Sequence, residues 1–225
     1  MSKKLLILGA KGVGKRVVEI AEQEPYTEIA FLETYPDHSD FRSYPIIGGC
    51  DDLEKFKNDY SHAFVCMADP KTRLHFIERL IAAGYEIPNI IHPQASVSKS
   101  AVMGIGINVD ALSVIGPDVK IGDGCMINIG VMISHDSELS EYVTVSPSAS
   151  TMGYVKLGKY TFVGGGACIV NNVSIGENVL IAAGAVVVSD LPDNVLAAGV
   201  PATVKKSITE MKHMVWPGSY PEGKL

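Results

Sequence analysis

His135 is followed directly by Asp136, and this pair has the side chains a proton transfer needs. An imidazole titrates near neutrality and can take a proton from an attacking amine or hydroxyl. A carboxylate beside it can orient the ring and raise its basicity, although adjacent side chains on a strand normally diverge. By position alone a surface turn histidine reads the same way. Eighteen residues on stands Gly153, which is either an ordinary turn glycine or one whose bare backbone N–H can steady a developing oxyanion. Near the start of the chain, Gly9, Gly12 and Gly14 form a G-x-x-G-x-G run that includes Lys11 and Val13. The spacing differs from the G-x-G-x-x-G dinucleotide fingerprint and argues against NAD. It still directs N–H groups and a helix N-terminus at a phosphate. Glu33, at the end of the next strand pattern, can hydrogen-bond a ribose or uracil. Asp69 follows a third strand pattern; Lys71 and Arg73 behind it suit either ligand contacts or a solvated helix face.

Two kinds of pattern must position these residues. Up to residue 90 the chain alternates strands and helices. Leu5 to Leu8 is a short buried-strand run, Lys15 to Glu24 has helical periodicity ended by Pro25, and Ile29 to Leu32 is a second strand. A short helix over Asp51 to Asn58, a strand over His62 to Met67 and a helix over Pro70 to Ala83, stopped by Gly84, complete a small parallel α/β unit of Rossmann type. From Ile91 the period becomes six. Stepping by six from Ile91 to Val187 meets Ile, Leu or Val at fifteen of seventeen positions, the exceptions being Met103 and Thr151. The position four later is small or β-branched almost throughout. A six-residue period cannot serve an α-helix, whose apolar face recurs at three and four. It suits a triangular coil of three short strands, eighteen residues per turn, stabilised by stacking on its neighbours. About a hundred residues make between five and six coils. Cys125 and Cys168 sit at small-residue positions of this track and read as packing.

Composition narrows the function. Apolar residues are 47% and charged residues 20% of 225, enough hydrophobic mass for a core. A net charge of −6 supplies no basic field for nucleic acid. Four dispersed cysteines without a CxxC, and an apolar run at the N-terminus too short for a signal or membrane segment, point to a reducing cytoplasm with no membrane contact.

The hexapeptide track resembles the left-handed parallel β-helix of the hexapeptide acyltransferases, whose crossovers depart from the usual right-handed rule. The Gly-rich α/β domain, Ile90-Ile91-His92-Pro93 entering the coils, Ile133-Ser134-His135-Asp136 within them and Gly199-Val200-Pro201-Ala202 closing them narrow this. Together they are similar to the family of sialic-acid O-acetyltransferases and nucleotide-linked amino-sugar N-acetyltransferases. The resemblance implies an α/β Rossmann-like domain over 1–90 that binds a nucleotide sugar, and a left-handed β-helix acetyltransferase domain over 91–204. A C-terminal helix and tail over 205–225, with the helix at Ser207 to Val215, complete the expected layout.

It further implies that His135 is the general base and Asp136 its support. Acetyl-coenzyme A then lies between neighbouring β-helices against Gly153, Gly165, Ala183 and Thr144, and Gly9, Lys11, Gly12, Val13, Gly14, Glu33 and Asp69 hold the nucleotide sugar. Two positions depart from the family pattern: Thr144 and Val13 stand where many relatives have histidine. A threonine hydroxyl can donate a hydrogen bond but cannot act as a base. The expected reaction is N-acetylation of a UDP-linked 4-amino-4,6-dideoxy sugar by direct attack. Sialic-acid O-acetylation and a non-catalytic oligomerising or nucleotide-binding scaffold are the alternatives. A γ-class carbonic anhydrase needs three zinc-binding histidines, and the coils offer only His92 and His135, so no metal is expected. The flat sides of a lone coil are too large to leave bare, and the resemblance implies that they are covered in a homotrimer with the active site between protomers.

Overall fold

The computed structural model describes residues 3–34 and 39–208, which divide after Ile90 into two compact units. In the first unit, β1 (Lys3–Leu8), β2 (Tyr26–Leu32), β3 (Asp40–Phe41), β4 (Tyr44–Gly48) and β5 (His62–Val65) form one sheet in the order β3-β4-β2-β1-β5. All pairings are parallel except the β3–β4 hairpin. Leu5 to Leu8 are wholly buried because β1 lies in mid-sheet, the reason the run is apolar without alternation. Helix α1 (Gly12–Ala21) packs Val17, Val18 and Ile20 onto Leu5, Ile7 and Phe31, and α2 (Pro70–Ala82) follows β5.

The structure corrects several local expectations. Helix α1 starts at Gly12, three residues before Lys15, and the short helix expected over Asp51 to Asn58 is present as a 3-10 helix over Cys50–Phe56. The β3–β4 hairpin was not expected at all. Arg73 is 1% exposed and is not part of a solvated face. The glycines of the first turn divide by role. A Cβ on Gly14 would lie 2.6 Å from the Gly9 carbonyl oxygen, so the close approach of α1 to the strand end requires glycine there.

The second unit is a left-handed parallel β-helix built of two-residue strands. Each strand pairs in parallel with the strand eighteen residues away, as Met132–Ile133 does with Val114–Ile115 and Ser150–Thr151. The inward positions, among them Val109, Ile115, Ile127, Ile133, Val145 and Ile169, form one continuous buried core. From Ser113 on, the small residues beside each corner are buried too. Where those residues carry a hydroxyl, it bonds a carbonyl of the same turn: Ser113 Oγ donates to Asn128 O at 2.8 Å and Thr161 Oγ1 to Gly176 O at 2.9 Å. Thr151, the polar exception of the inward track, is fully buried and its Oγ1 has no hydrogen-bond partner among the described residues.

The three faces differ in character. The face of Val102–Met103, Lys120–Ile121, Glu138–Leu139, Lys156–Leu157 and Ser174–Ile175 turns charged residues to solvent, with Lys120 and Glu138 paired at 3.0 Å. The face running from Ser96–Val97 to Val186–Val187 instead leaves Val114, Met132, Met152 and Val188 exposed. The β-helix ends in an antiparallel hairpin of Val195–Gly199 and Ala202–Ser207. Lys205 to Ser207 therefore finish a strand instead of opening a helix, and the rest of the expected C-terminal helix lies outside the described residues.

Candidate active site

His135 lies at the corner that follows Ile133, on the edge between the apolar and the charged face. Asp136 has φ 57°, a left-handed conformation that short polar side chains tolerate, and its N–H donates to Pro117 O of the preceding coil. That turn removes the divergence expected of neighbours on a strand. The Asp136 carboxylate swings beside its neighbour, and His135 Nδ1 meets Asp136 Oδ2 at 2.8 Å. An ionised carboxylate only accepts, so Nδ1 carries the proton in this contact and Nε2 of the neutral ring keeps its lone pair. The pair is about half exposed, open to a substrate.

One coil further along, Gly153 lies against the imidazole. A Cβ there would fall 2.6 Å from His135 Cε1 and 2.8 Å from Nε2. The glycine expected as an N–H donor thus has a second role, making room for the ring. Tyr154 adds a third contact: its ring meets the imidazole edge-on, with centroids 5.3 Å apart and planes at 88°. The sequence reading missed Tyr154. Its signal was the register, since eighteen residues separate it from Asp136.

The opposite edge of the apolar face carries Gly165 and Ala183, stacked one coil apart with Gly184 N–H donating to Gly165 O. A Cβ on Gly164 would lie 2.5 Å from Ala183 N, and one on Gly166 or Gly184 would meet nothing within 4 Å. This edge is thin and open, as a slender ligand arm requires. Within one chain the structure brings Gly165 and Ala183 together and sets Gly153 on the other edge. Thr144 is buried on the third face, because nine residues is half of an eighteen-residue coil and lands away from His135.

In the first unit, two clefts of about 520 and 320 Å³ share Lys11, Gly12 and Glu33, and the larger also touches Gly9, Val13 and Asp69. Six of the seven residues expected to hold a nucleotide sugar therefore meet; Gly14 is buried beneath the turn. Gly12 faces open space. Glu33 also has a structural role. Its Oε2 accepts from Ala10 N–H at 2.8 Å and its Oε1 from Thr34 N–H at 2.9 Å, so the carboxylate braces the glycine turn. Asp69 caps α2, with Oδ2 accepting from both Thr72 N–H and Thr72 Oγ1 at 2.7 Å. The guanidinium of Arg73 donates to the Met67 and Ala68 carbonyls at 2.9 and 2.6 Å, which holds the loop after β5 along the cleft. Lys71 is exposed. Below the cleft, burial pushes the Cys50 thiol up to about 11, which keeps it protonated and unreactive at neutral pH. Among the described residues, no cluster of three His, Cys, Asp or Glu side chains could hold a metal, and no helix is long and apolar enough to cross a membrane.

Comparison with known proteins places this geometry among relatives. Residues 4–80 match the PglD N-terminal domain, and residues 154–189 match the bacterial transferase hexapeptide repeats. The acetyltransferase domain of PglB from Neisseria gonorrhoeae, solved in complex with acetyl coenzyme A, is 33% identical; the match covers 91% of this chain and 100% of that one, with a TM-score of 0.87. PerB from Caulobacter crescentus, solved with CoA and GDP-perosamine, is also 33% identical, over 90% of this chain and 97% of that one, with a TM-score of 0.85. GDP-perosamine N-acetyltransferase of Escherichia coli O157:H7 is 31% identical over 91 residues, a stretch that spans 40% of this chain and 41% of that relative.

Proposed function

Because the chain belongs to the family of hexapeptide-repeat acetyltransferases that carry a PglD-type N-terminal domain, we propose that it transfers acetyl from acetyl-coenzyme A to a nucleotide-linked 4-amino-4,6-dideoxy sugar. The observation that carries this reading is the His135–Asp136 pair seated on Gly153. The acceptor amine attacks the thioester carbonyl carbon; a C–N bond forms, the C–S bond breaks, and coenzyme A leaves as the thiolate, which then takes up the proton that His135 has removed from the amine, giving the thiol and restoring the neutral base. His135 Nε2 takes the proton lost by the amine, and Asp136 steadies the imidazolium that results. In this reading Gly153 N–H donates to the carbonyl oxygen as charge builds there. No covalent intermediate on the protein is needed.

The thin edge at Gly165 and Ala183 fits the arm of coenzyme A, but within one chain it lies a face away from His135. Three copies packed through the apolar face about a three-fold axis resolve this separation. Each copy's His135 edge then meets the Gly165 edge of the next, and the exposed Val114, Met132, Met152 and Val188 become buried. We therefore assign a homotrimer with its donor site between copies. Thr144, where it contributes, acts as a hydrogen-bond donor and not as a base.

The cleft at Gly9, Lys11, Gly12 and Asp69 is assigned to the nucleotide sugar, with N–H groups at the start of α1 toward the phosphates and Lys11 adding charge. Val13 supplies only an apolar wall there. UDP is the carrier expected from the sequence, whereas one of the relatives above is named for GDP-perosamine and another was solved in complex with it. Coenzyme A release across UDP-, dTDP- and GDP-linked 4-amino sugars, with sialic acid as the hydroxyl acceptor, tests the assignment. Turnover on one amino sugar is the expected result; turnover on sialic acid alone contradicts N-acetylation, and silence on all acceptors contradicts the enzyme reading.

A further inference from the structure

Four residues stack at the left-handed position of the His135 edge: Asp118, Asp136, Tyr154 and Asn172, with φ of 58°, 57°, 62° and 62°. Asp and Asn are the side chains that accept this conformation with least penalty. Tyr154 departs from that pattern, and burial does not account for it, since the residue remains 53% exposed. Its ring stands perpendicular to the His135 imidazole, while its N–H donates to the His135 carbonyl at 3.1 Å and fixes the backbone from which both rings project.

We propose that Tyr154 is a positioning residue for His135, the third side of a seat whose other two sides are Gly153 and Asp136. The Asp136 contact holds one atom of the ring, Nδ1, so a single hydrogen bond is all that it sets against a pivot of the imidazole about its Cβ–Cγ bond. The backbone at Gly153 limits that pivot on one side. The Tyr154 ring limits it on another through an edge-to-face contact, which aromatic rings favour over face-to-face stacking. Together the three contacts hold one tautomer, with the proton on Nδ1 and the lone pair on Nε2 open to the acceptor amine. This inference rests on His135 as the general base for its effect on rate, but its effect on the ring stands apart from catalysis.

The test replaces Tyr154 by Asn, which keeps a residue suited to positive φ while removing the aromatic ring; Tyr154→Phe restores the ring without the hydroxyl. Nitrogen-15 NMR of the full-length, histidine-labelled protein, with the His135 signals identified by their loss in His135→Gln, reads the tautomer directly. Wild type and Tyr154→Phe are expected to show His135 held in the Nδ1–H form, and Tyr154→Asn to show shifts averaged between tautomers. Turnover of Tyr154→Asn is expected to fall ~10-fold, with KM for acetyl-coenzyme A within about twofold of wild type and recovery in Tyr154→Phe. An unchanged tautomer signal in Tyr154→Asn overturns the proposal, whatever happens to the rate. Averaged shifts with undiminished turnover leave the positioning role standing and count against His135 as the base, which full activity of His135→Gln would show independently.

Discussion

The imidazole of His135 occupies the space that a side chain at Gly153 would take, with the built Cβ 2.6 Å from Cε1 and 2.8 Å from Nε2. Imidazole and glycine are therefore one unit across two coils. Gly153→Ala is expected to displace the ring and cut turnover by ~100-fold, because misplacing a reacting group by about an ångström costs that much. Gly153 lacks a positive φ, so the backbone tolerates alanine and the melting temperature should change little. Steady-state rates beside a thermal melt check this; a fully active Gly153→Ala would refute the seat.

In the proposed mechanism Asp136 acts through charge as well as position. Asp136→Asn keeps a side chain suited to φ 57° and to a hydrogen bond with His135, but it no longer compensates an imidazolium. We expect turnover to fall between ~10- and ~100-fold, with stability changed by less than about 0.5 kcal/mol because the site is at the surface. Turnover of the purified variant measured beside its urea denaturation midpoint separates these effects.

The apolar face makes a prediction about assembly. Met132 is 41% exposed at its centre, and Met132→Lys would place a charge in the proposed three-fold contact. Sedimentation at micromolar concentration should give a trimer for wild type and a smaller species for the variant. Activity should fall with the trimer, since the His135 and Gly165 edges come from different copies in the proposed site.

Inside the coil, Thr151 offers a gain in stability. Its hydroxyl is fully buried without a hydrogen-bond partner among the described residues, so Thr151→Val removes a desolvated polar group at nearly constant volume. The expected stabilisation is about 1 kcal/mol, read as a higher urea midpoint with unchanged slope.

The β-helix was legible because each inward position demands one aliphatic, and the demand repeats every six residues from Ile91 to Val187. The edge carrying His135 followed from the same register. The β3–β4 hairpin left little trace, since Asp40–Phe41 is too short to show alternation and pairs mainly through its backbone. The structural roles of Arg73 and Glu33 were hidden for a related reason: their partners are the backbone groups of Met67, Ala68, Ala10 and Thr34, whose positions only the folded chain defines. Asp136 was doubted as a partner for His135 on strand geometry, and the left-handed corner that unites them is a property of the coil, not of the dipeptide. Tyr154 escaped notice because an exposed tyrosine has no distinguishing pattern until the neighbouring coil brings it to the imidazole.

The central claim is that His135 Nε2 removes the proton of the acceptor amine. Its most direct measurement is the turnover of His135→Ala on the best nucleotide-linked amino sugar, with acetyl-coenzyme A binding followed by calorimetry on the same preparation. The account predicts a loss of turnover of ~100-fold or more, within the range for removing a general base, while donor binding persists. Wild-type turnover in that variant would contradict it.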